Sequence, residues 1–302
     1  MYRNAPNPVK ADLKKQLKIF NVRPAIVSAI VSKLAPESFN DTDADPSGAS
    51  GVLPLANSIS SLSSHRPTTP IQDLKLERVE PLYVHTQREL EDIFKEMHTY
   101  FEGKESEGNW LKREQSCTKL RRLNAGNATE DLYNVFLAGI KSLLDGILKA
   151  VNSLRTSLSK EGCSVIQEVA RSNGAGLDPM VEILLQNLIK LCGGTKKISS
   201  QQGNMTVDIL ISRVSYNLRI MQHIWFACQD KNVQPRTYAT GWLKTLLNKE
   251  AHHKSHIEHT GGLELVEKCI KKGLADANPG VRENMRSTYW SFARIWPSKA
   301  ER

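Results

Sequence analysis

Apolar residues recur at helical spacing from Tyr83 to the end of this chain, and no stretch has the alternating pattern of a β-strand. The first helical stretch begins with a capping box, in which Thr86 is followed three positions later by Glu89. Asp178 and Asn278, each followed by proline, are also predicted N-caps. The pattern predicts ten helices in five consecutive pairs, over residues 86–101, 111–123, 129–148, 160–171, 180–192, 205–214, 218–228, 235–248, 263–274 and 279–295.

The last two pairs share a spacing of acidic and basic residues. Asp230 precedes Arg236 by the same interval that separates Asp276 from Arg282. In HEAT-type repeats an acidic residue caps the second helix, and a basic residue one turn into that helix locks one loop to the next. Because one pair cannot bury both sides of its helices, the sequence predicts an all-α fold, an α-solenoid of five stacked HEAT-like helix pairs. The corresponding basic residues of the first two pairs are predicted to be Arg113 and Lys160.

The part of the chain before residue 82 has a different composition. Residues 10–35 place apolar side chains at helical spacing around a break at Pro24, which predicts two short amphipathic helices. Residues 36–81 are rich in Ser, Gly and Pro, and such a segment buries too little apolar surface to offset the entropy lost on ordering. The sequence therefore predicts three parts: a helical segment over residues 1–35, a flexible, disordered linker over 36–81 and a helical-repeat domain over 82–302.

Composition and charge limit the kinds of partner. Hydrophobic residues make up 40% of the 302 residues, which is enough for a sizeable core. The formal net charge of +9 favours an acidic partner, namely nucleic acid, an anionic membrane or an acidic protein surface. No apolar run is long enough for a membrane-spanning helix, and the first residues lack the apolar stretch of a secretory signal. We therefore expect a cytosolic or nuclear protein.

The five cysteines show no metal or disulfide pattern. They contain no CxxC pair and no tight cluster, and each lies in an apolar helical context. We expect all of them to pack in the core. They are Cys117, Cys163, Cys192, Cys228 and Cys269.

The loops inside the five pairs carry the candidate binding residues. Equivalent loops of a stacked array lie on one edge, so basic residues on or beside four of these loops predict one basic strip, with scattered solvated charges as the alternative. Trp110 ends the polar first loop, where it either folds back into the core or stands out as an aromatic anchor. The basic residues are Lys112, Arg113, Arg155, Lys160, Lys196, Lys197, Lys231 and Arg236.

Other kinds of chemistry have weaker sequence signals. His252, His256 and His259 could share one helical stripe and bind zinc, but the glycines that follow favour a surface histidine cluster in a loop or short helix. No glycine-rich phosphate loop, GxSxG or HExxH motif occurs, so we expect no enzyme, no metal and no cofactor. Nucleic-acid binding and a generic HEAT-repeat scaffold that grips peptides are the alternatives.

Several separated stretches resemble the second TOG domain of the CLASP family as found in fungi. They are QRELEDIFKEM, FEGKESEGNWLKRE, LLDGILKAVNSLRTSLSKEGC, NVQPRTYATGWLKTLL and ADANPGVRENMRSTYW. The resemblance covers residues 82–300, and residues 10–35 are similar to the closing helices of that family's preceding TOG domain. It implies that the chain lacks most of the first TOG domain and the family's later regions.

The resemblance implies a microtubule-associated protein, not an enzyme, whose TOG domain binds tubulin through the edge of intra-repeat loops. Such a protein promotes rescue, suppresses catastrophe and supports the mitotic spindle, in the cytoplasm and cytoskeleton or the nucleus. Five positions of this sequence match the family's tubulin-binding positions, namely Trp110, Lys196, Lys197, Lys231 and Arg282. With the loop charges, the expected tubulin-binding set is Trp110, Lys112, Arg155, Lys160, Lys196, Lys197, Lys231, Arg236 and Arg282. We expect a monomer with tubulin or microtubules as partner and with no membrane or nucleic-acid partner.

Overall fold

The computed structural model describes residues 78–301, most of which are helical. The predictions for residues 1–77, namely the two short helices and most of the linker, lie outside the described residues. Two 3-10 helices, Gly174–Met180 and Ala251–His253, precede α6 and α10. The α-helices are α1 (Gln87–Phe101), α2 (Trp110–Ala125), α3 (Tyr133–Ser142), α4 (Leu144–Val151), α5 (Thr156–Asn173), α6 (Val181–Cys192), α7 (Lys197–Arg213), α8 (Leu218–Cys228), α9 (Val233–Glu250), α10 (Lys254–His259), α11 (Gly262–Leu274), α12 (Pro279–Ile295) and α13 (Pro297–Ala300).

The helices form five pairs in two layers. The first layer contains α1, α3 with α4, α6, α8 and α11, and the second layer contains α2, α5, α7, α9 and α12. Helices of the second layer pack side by side in chain order. One cluster of buried apolar residues extends from Val84 to Trp296. The described residues contain no strand, and the prediction of an all-α solenoid is confirmed.

Short polar side chains begin several helices. Thr86 Oγ1 accepts a hydrogen bond from the N–H of Glu89 at 3.1 Å, and the Glu89 carboxylate accepts one from the N–H before Thr86, so the predicted capping box is confirmed with its return bond one residue earlier. Asn278 Oδ1 accepts from the N–H of Gly280 at 2.9 Å, which confirms this predicted N-cap. Two further N-caps of the same kind, not predicted, are Asn217 and Asn232.

Two glycines let the first pair pack closely on the second. A Cβ atom at Gly139 would lie 2.2 Å from the ring of Phe94, and one at Gly146 would lie 2.5 Å from the ring of Phe101. Since real side chains do not approach that closely, any larger residue would push α1 away from α3 and α4.

Three of the predicted helices have clearly wrong bounds. Helix α5 begins at Thr156 and not at residue 160, and α7 begins at Lys197 and not at residue 205. The first turns of α7 bury Ser199 and Ser200, which are small and polar and so leave no apolar periodicity in the sequence. The helix predicted over residues 129–148 begins at Tyr133 and not at residue 129, and it is divided at Leu143 into α3 and α4.

Asp178 does not act as the predicted N-cap. It lies inside the 3-10 helix Gly174–Met180, and α6 begins at Val181 without a side-chain cap. Asp178 Oδ1 instead accepts a hydrogen bond from the N–H of Ser215 at 2.9 Å, which ties the end of α7 to the start of α6.

The cysteines and most tryptophans lie where the pattern places them. All five cysteines are buried free thiols, so their predicted core packing is confirmed. The sequence places Trp225, Trp242, Trp290 and Trp296 on helix faces and so predicts that they pack in the core. Trp242 and Trp296 are buried as predicted, and Trp225 is half-buried. The prediction is wrong for Trp290, whose side chain on α12 is 67% exposed.

None of the described helices is long and apolar enough to cross a membrane.

Side-chain hydrogen bonds join each helix of the second layer to the next. In α2, α5, α7 and α9 the residue that makes this bond is the twelfth residue of the helix. Because it recurs in four helices, it marks the face that each helix turns toward its successor. The hydrogen bonds, of 2.6 to 2.9 Å, join Arg121 to Glu161 and Glu168, Gln167 to Thr206, Asp208 to Thr245, and Lys244 to Ser287.

Arg121 forms the strongest of these links. Its side chain is only 4% exposed and bonds the carboxylates of Glu161 and Glu168 on α5. Burial raises the pKa of Glu168, although the charge and hydrogen bond of Arg121 act to lower it. Burial thus disfavours the ionised form of Glu168, and Arg121 stabilises that form.

Candidate functional site

The loops within the five pairs form a continuous surface, since their connections all lie at one end of the helices. We call these loops, with the first four residues of the helix that follows each, the loop edge. The five loops span residues 102–109, 152–155, 193–196, 229–232 and 275–278.

The fourth residue of each second-layer helix holds the loop before it. It donates hydrogen bonds of 2.7 to 3.1 Å to main-chain carbonyls of the loop or of the preceding helix end, which would otherwise lack partners. The predicted equivalence of Lys160 with Arg113 is wrong by one residue, because Ser159 takes this role. These residues are Arg113, Ser159, Ser200, Arg236 and Arg282.

Side chains also reach from one loop to the next. Every loop has at least one such link, so the five loops lie side by side, as expected for a stacked array. The links are Arg155 to Glu105 and Glu107, Lys196 to the carbonyl of Leu154, Asn232 to the carbonyl of Gly193 at 3.1 Å, and Arg236 to Asp276.

The predicted basic strip is wrong over the first two loops. Loop 1 carries Glu102, Glu105 and Glu107 against a single lysine, so it is acidic. Arg155 of loop 2 forms ion pairs with Glu105, at 3.5 Å, and with Glu107. Its charge therefore neutralises loop 1 and is not a free cation for an acidic partner.

Arg236 is also committed inside the protein. Its guanidinium donates two hydrogen bonds, of 2.8 and 3.1 Å, to the carboxylate of Asp276, whose side chain is only 4% exposed. Burial acts to raise the pKa of Asp276, but the hydrogen bonds from Arg236 and from the N–H of Asn278 outweigh it and lower this pKa below its ordinary value. Arg236 thus fixes loop 5, and its charge is paired within the protein.

The other expected cations differ in how available they are. Lys112, Lys197 and Lys231 are exposed at the loop edge, and the ammonium of Lys112 lies 5.8 Å from the ring centroid of Tyr100. Lys160 is exposed one residue beyond the loop edge. Lys196 is exposed and donates a hydrogen bond to a main-chain carbonyl of loop 2. Arg282 is half-buried, and one of its guanidinium nitrogens donates hydrogen bonds to two carbonyls of loop 5.

Trp110 is neither sealed in the core nor fully exposed. It is the first residue of α2, half-buried, and packs against the core cluster. The guanidinium carbon of Arg155 lies 5.1 Å from the centroid of its ring, at cation–π distance. Trp110 therefore supports Arg155 and does not protrude as a free aromatic anchor.

A row of exposed apolar side chains lies on the loop edge, and the sequence reasoning missed it. The side chains are 38% to 81% exposed and come from four successive repeats. Each lies within two residues of the start of a second-layer helix, so correct helix starts would have been enough to find them. Exposed apolar rows of this kind are typical of binding surfaces. The row comprises Leu111, Leu154, Ile198 and Val233.

Replacing Arg236 with alanine is expected to destabilise the domain by about 2 kcal/mol, because it leaves the Asp276 carboxylate buried without its cation. The loss is measured by urea unfolding at pH 7. Because the pKa of Asp276 is lowered in the folded state, the pair contributes above the unfolded carboxyl pKa of about 3.9 and is lost as pH falls through the folded pKa. Lys231→Ala on the same loop is the matched control, and an equal loss there would contradict the structural role of Arg236.

The histidines do not share one helix stripe. His252 belongs to a 3-10 helix, whereas His256 and His259 belong to α10, and all three are exposed. Among residues 78–301, no group of three or more His, Cys, Asp or Glu side chains is placed to hold a metal ion.

In comparison with known proteins, the family model described as CLASP N terminal matches residues 90–302. Protein STU1 of Chaetomium globosum is 62% identical over 301 residues, covering 100% of this chain and 24% of that protein. Protein stu-1 of Neurospora crassa is 59% identical over 315 residues, covering 99% and 28%. The chain thus spans about a quarter of the length of these relatives. A designed armadillo repeat protein is similar in structure, with a TM-score of 0.39 and 11% identity, over 68% of this chain and 86% of that one.

Proposed function

Because this chain belongs to the CLASP family, as its match to the family model over residues 90–302 establishes, we propose that its helical-repeat domain binds tubulin along the loop edge. One observation carries the proposal: exposed lysines at positions 112, 197 and 231 flank the exposed apolar row on one ordered edge. Tubulin is acidic, so the lysines would speed encounter and orient the complex, while the apolar row would supply desolvated contact.

The proposal gives this chain a binding role without catalysis. As a microtubule-associated protein it would stabilise dynamic microtubules by promoting rescue and suppressing catastrophe, and it would support the mitotic spindle. Its place in the cell would then be the cytoplasm, on microtubules and the spindle. The net charge of +9 supports an acidic partner of this kind.

Charge reversal on the loop edge tests the proposal. Lys197→Glu and Lys231→Glu are each expected to weaken binding to purified tubulin dimers by about tenfold, because they place like charges against an acidic surface. The affinity is measured by sedimentation of the chain with tubulin, and co-elution in gel filtration gives a second readout.

The matched control is Lys254→Glu. Lys254 is an exposed lysine at the start of α10, in the connection between two pairs, which lies at the opposite end of the helices from the loop edge. Equal weakening by this variant would point to net charge alone, and failure of the unaltered chain to co-elute would reject tubulin binding. Tight, salt-sensitive binding to generic DNA without tubulin binding would favour the nucleic-acid alternative.

A further inference from the structure

The last helix of the second layer, α12, has one face that no described helix covers. Thr288 donates a hydrogen bond to the carbonyl of Thr240 at 2.8 Å, so this side of α12 faces α9. Met285 packs against Gly273, so another side faces α11. Trp290 follows Thr288 by two residues, or about 200° around the helix, and therefore points away from α9.

Trp290 occupies the position that joins second-layer helices in the rest of the domain. It is the twelfth residue of α12, and the twelfth residue of each of the four earlier second-layer helices bonds to the next helix. In α12 this position carries an indole that is 67% exposed. Its N–H has no hydrogen-bond partner among residues 78–301. Aromatic side chains are enriched at interfaces, so an exposed indole at this position indicates a contact surface.

Two arginines flank the indole, one turn before and one turn after it. Arg294 forms no ion pair with any described carboxylate, and Arg286 pairs only with exposed Glu283 on its own helix, at 2.8 Å. The same layer contains an example of an arginine bound by a neighbouring helix. Arg121 of α2 forms ion pairs with two glutamates of α5 that are seven residues apart, at 2.8 Å each.

We infer that the Trp290 face of α12, with Arg286 and Arg294, binds an acidic amphipathic helix of a partner protein, laid alongside α12 as α5 lies alongside α2. The apolar stripe of that helix packs on the indole, and its carboxylates bond the two arginines. A second copy of this chain suits the face poorly. Antiparallel pairing of two such faces about Trp290 would place Arg286 of one copy against Arg294 of the other, and like charges repel.

The test uses the complete chain and a labelled helical peptide of 17 residues, the length of α12. The peptide has a leucine stripe flanked by glutamates seven residues apart, and a second peptide carries glutamine in their place. Fluorescence anisotropy is expected to show saturable binding of the glutamate peptide and weaker binding of the glutamine peptide. Trp290→Ala and Arg294→Glu should each weaken binding by about tenfold or more.

Phe226→Ala is the matched control, because Phe226 is an equally exposed aromatic, at 65%, on α8 of the first layer. Thermal unfolding should be unchanged in all three variants, since the altered side chains are exposed. Absence of saturable binding, equal binding of both peptides, or equal loss in Phe226→Ala would overturn the inference. Self-association of the unaltered chain that Trp290→Ala abolishes would also overturn it, in favour of an interface between copies.

Discussion

Replacing Arg121 with alanine is expected to lower the free energy of unfolding by about 3 to 5 kcal/mol. The substitution leaves Glu161 and Glu168 close together on α5, both mostly buried and without the cation that bonds them. It also removes the link between the first two helices of the second layer. The loss is large against a total stability of about 5 to 15 kcal/mol for a domain. Urea unfolding followed by circular dichroism measures it.

The pH dependence identifies the cause of this loss. The pKa of Glu168 is already raised by burial, and removing Arg121 takes away a group that lowers it. A carboxyl with a raised folded pKa destabilises the protein fully above that pKa, and the destabilisation is lost between that pKa and the lower unfolded value. The deficit of Arg121→Ala should therefore shrink as pH falls through the raised pKa of Glu168 toward the unfolded carboxyl value.

Two comparisons show whether the buried charges are responsible. Arg286→Ala removes an exposed arginine with one surface ion pair and should cost about 0.5 kcal/mol or less. Adding Glu161→Gln and Glu168→Gln to Arg121→Ala should recover part of the stability, because no buried charge is then left unpaired. A deficit in Arg121→Ala that does not change with pH would show that lost packing, and not uncompensated charge, is the cause.

The second large effect is expected for the double variant Leu154→Ser with Ile198→Ser. These side chains are 81% and 63% exposed in the middle of the loop edge, so their loss should leave stability within about 0.5 kcal/mol. If tubulin covers both, the loss of apolar contact is about 3 kcal/mol. That corresponds to about a hundredfold in Kd. Sedimentation with purified tubulin measures the change.

The control for this double variant is Phe226→Ser with Trp290→Ser, which removes two equally exposed apolar side chains outside the loop edge. It should bind tubulin as the unaltered chain does. Unchanged affinity in Leu154→Ser with Ile198→Ser would remove the apolar row from the proposed contact and leave the lysines as its only support.

Sequence periodicity predicts the helices best where their buried faces are apolar. The bounds of α8 and α12 agree with the prediction, and both helices bury mainly large apolar side chains. Helix α7 begins with Ser199 and Ser200 as its buried residues, which carry no apolar signal. Both serines are buried, and Ser200 also donates a hydrogen bond to the carbonyl of Cys192 at the end of α6; such roles depend on contacts that one sequence does not reveal.

Prediction of the candidate site from the sequence required the correct starts of the second-layer helices. Once α5 begins at Thr156 and α7 at Lys197, the fourth and twelfth positions of every second-layer helix come into register. Loop charges could be counted from the sequence, but their partners could not. Arg155 meets Glu105 across a separation of 50 residues, so only the stacking of the repeats shows that its charge is already neutralised.

The bonds between neighbouring loops have a consequence for association with any partner. Because hydrogen bonds and ion pairs already hold neighbouring loops together, the loop edge loses little conformational entropy when a partner covers it, so more of the contact energy remains as affinity. The same bonds prevent each loop from adjusting by itself to a poorly fitting surface. The spacing of contact points along the loop edge is therefore set by the stacking of the helices, and partners would be selected by whether their own contact points repeat at that spacing.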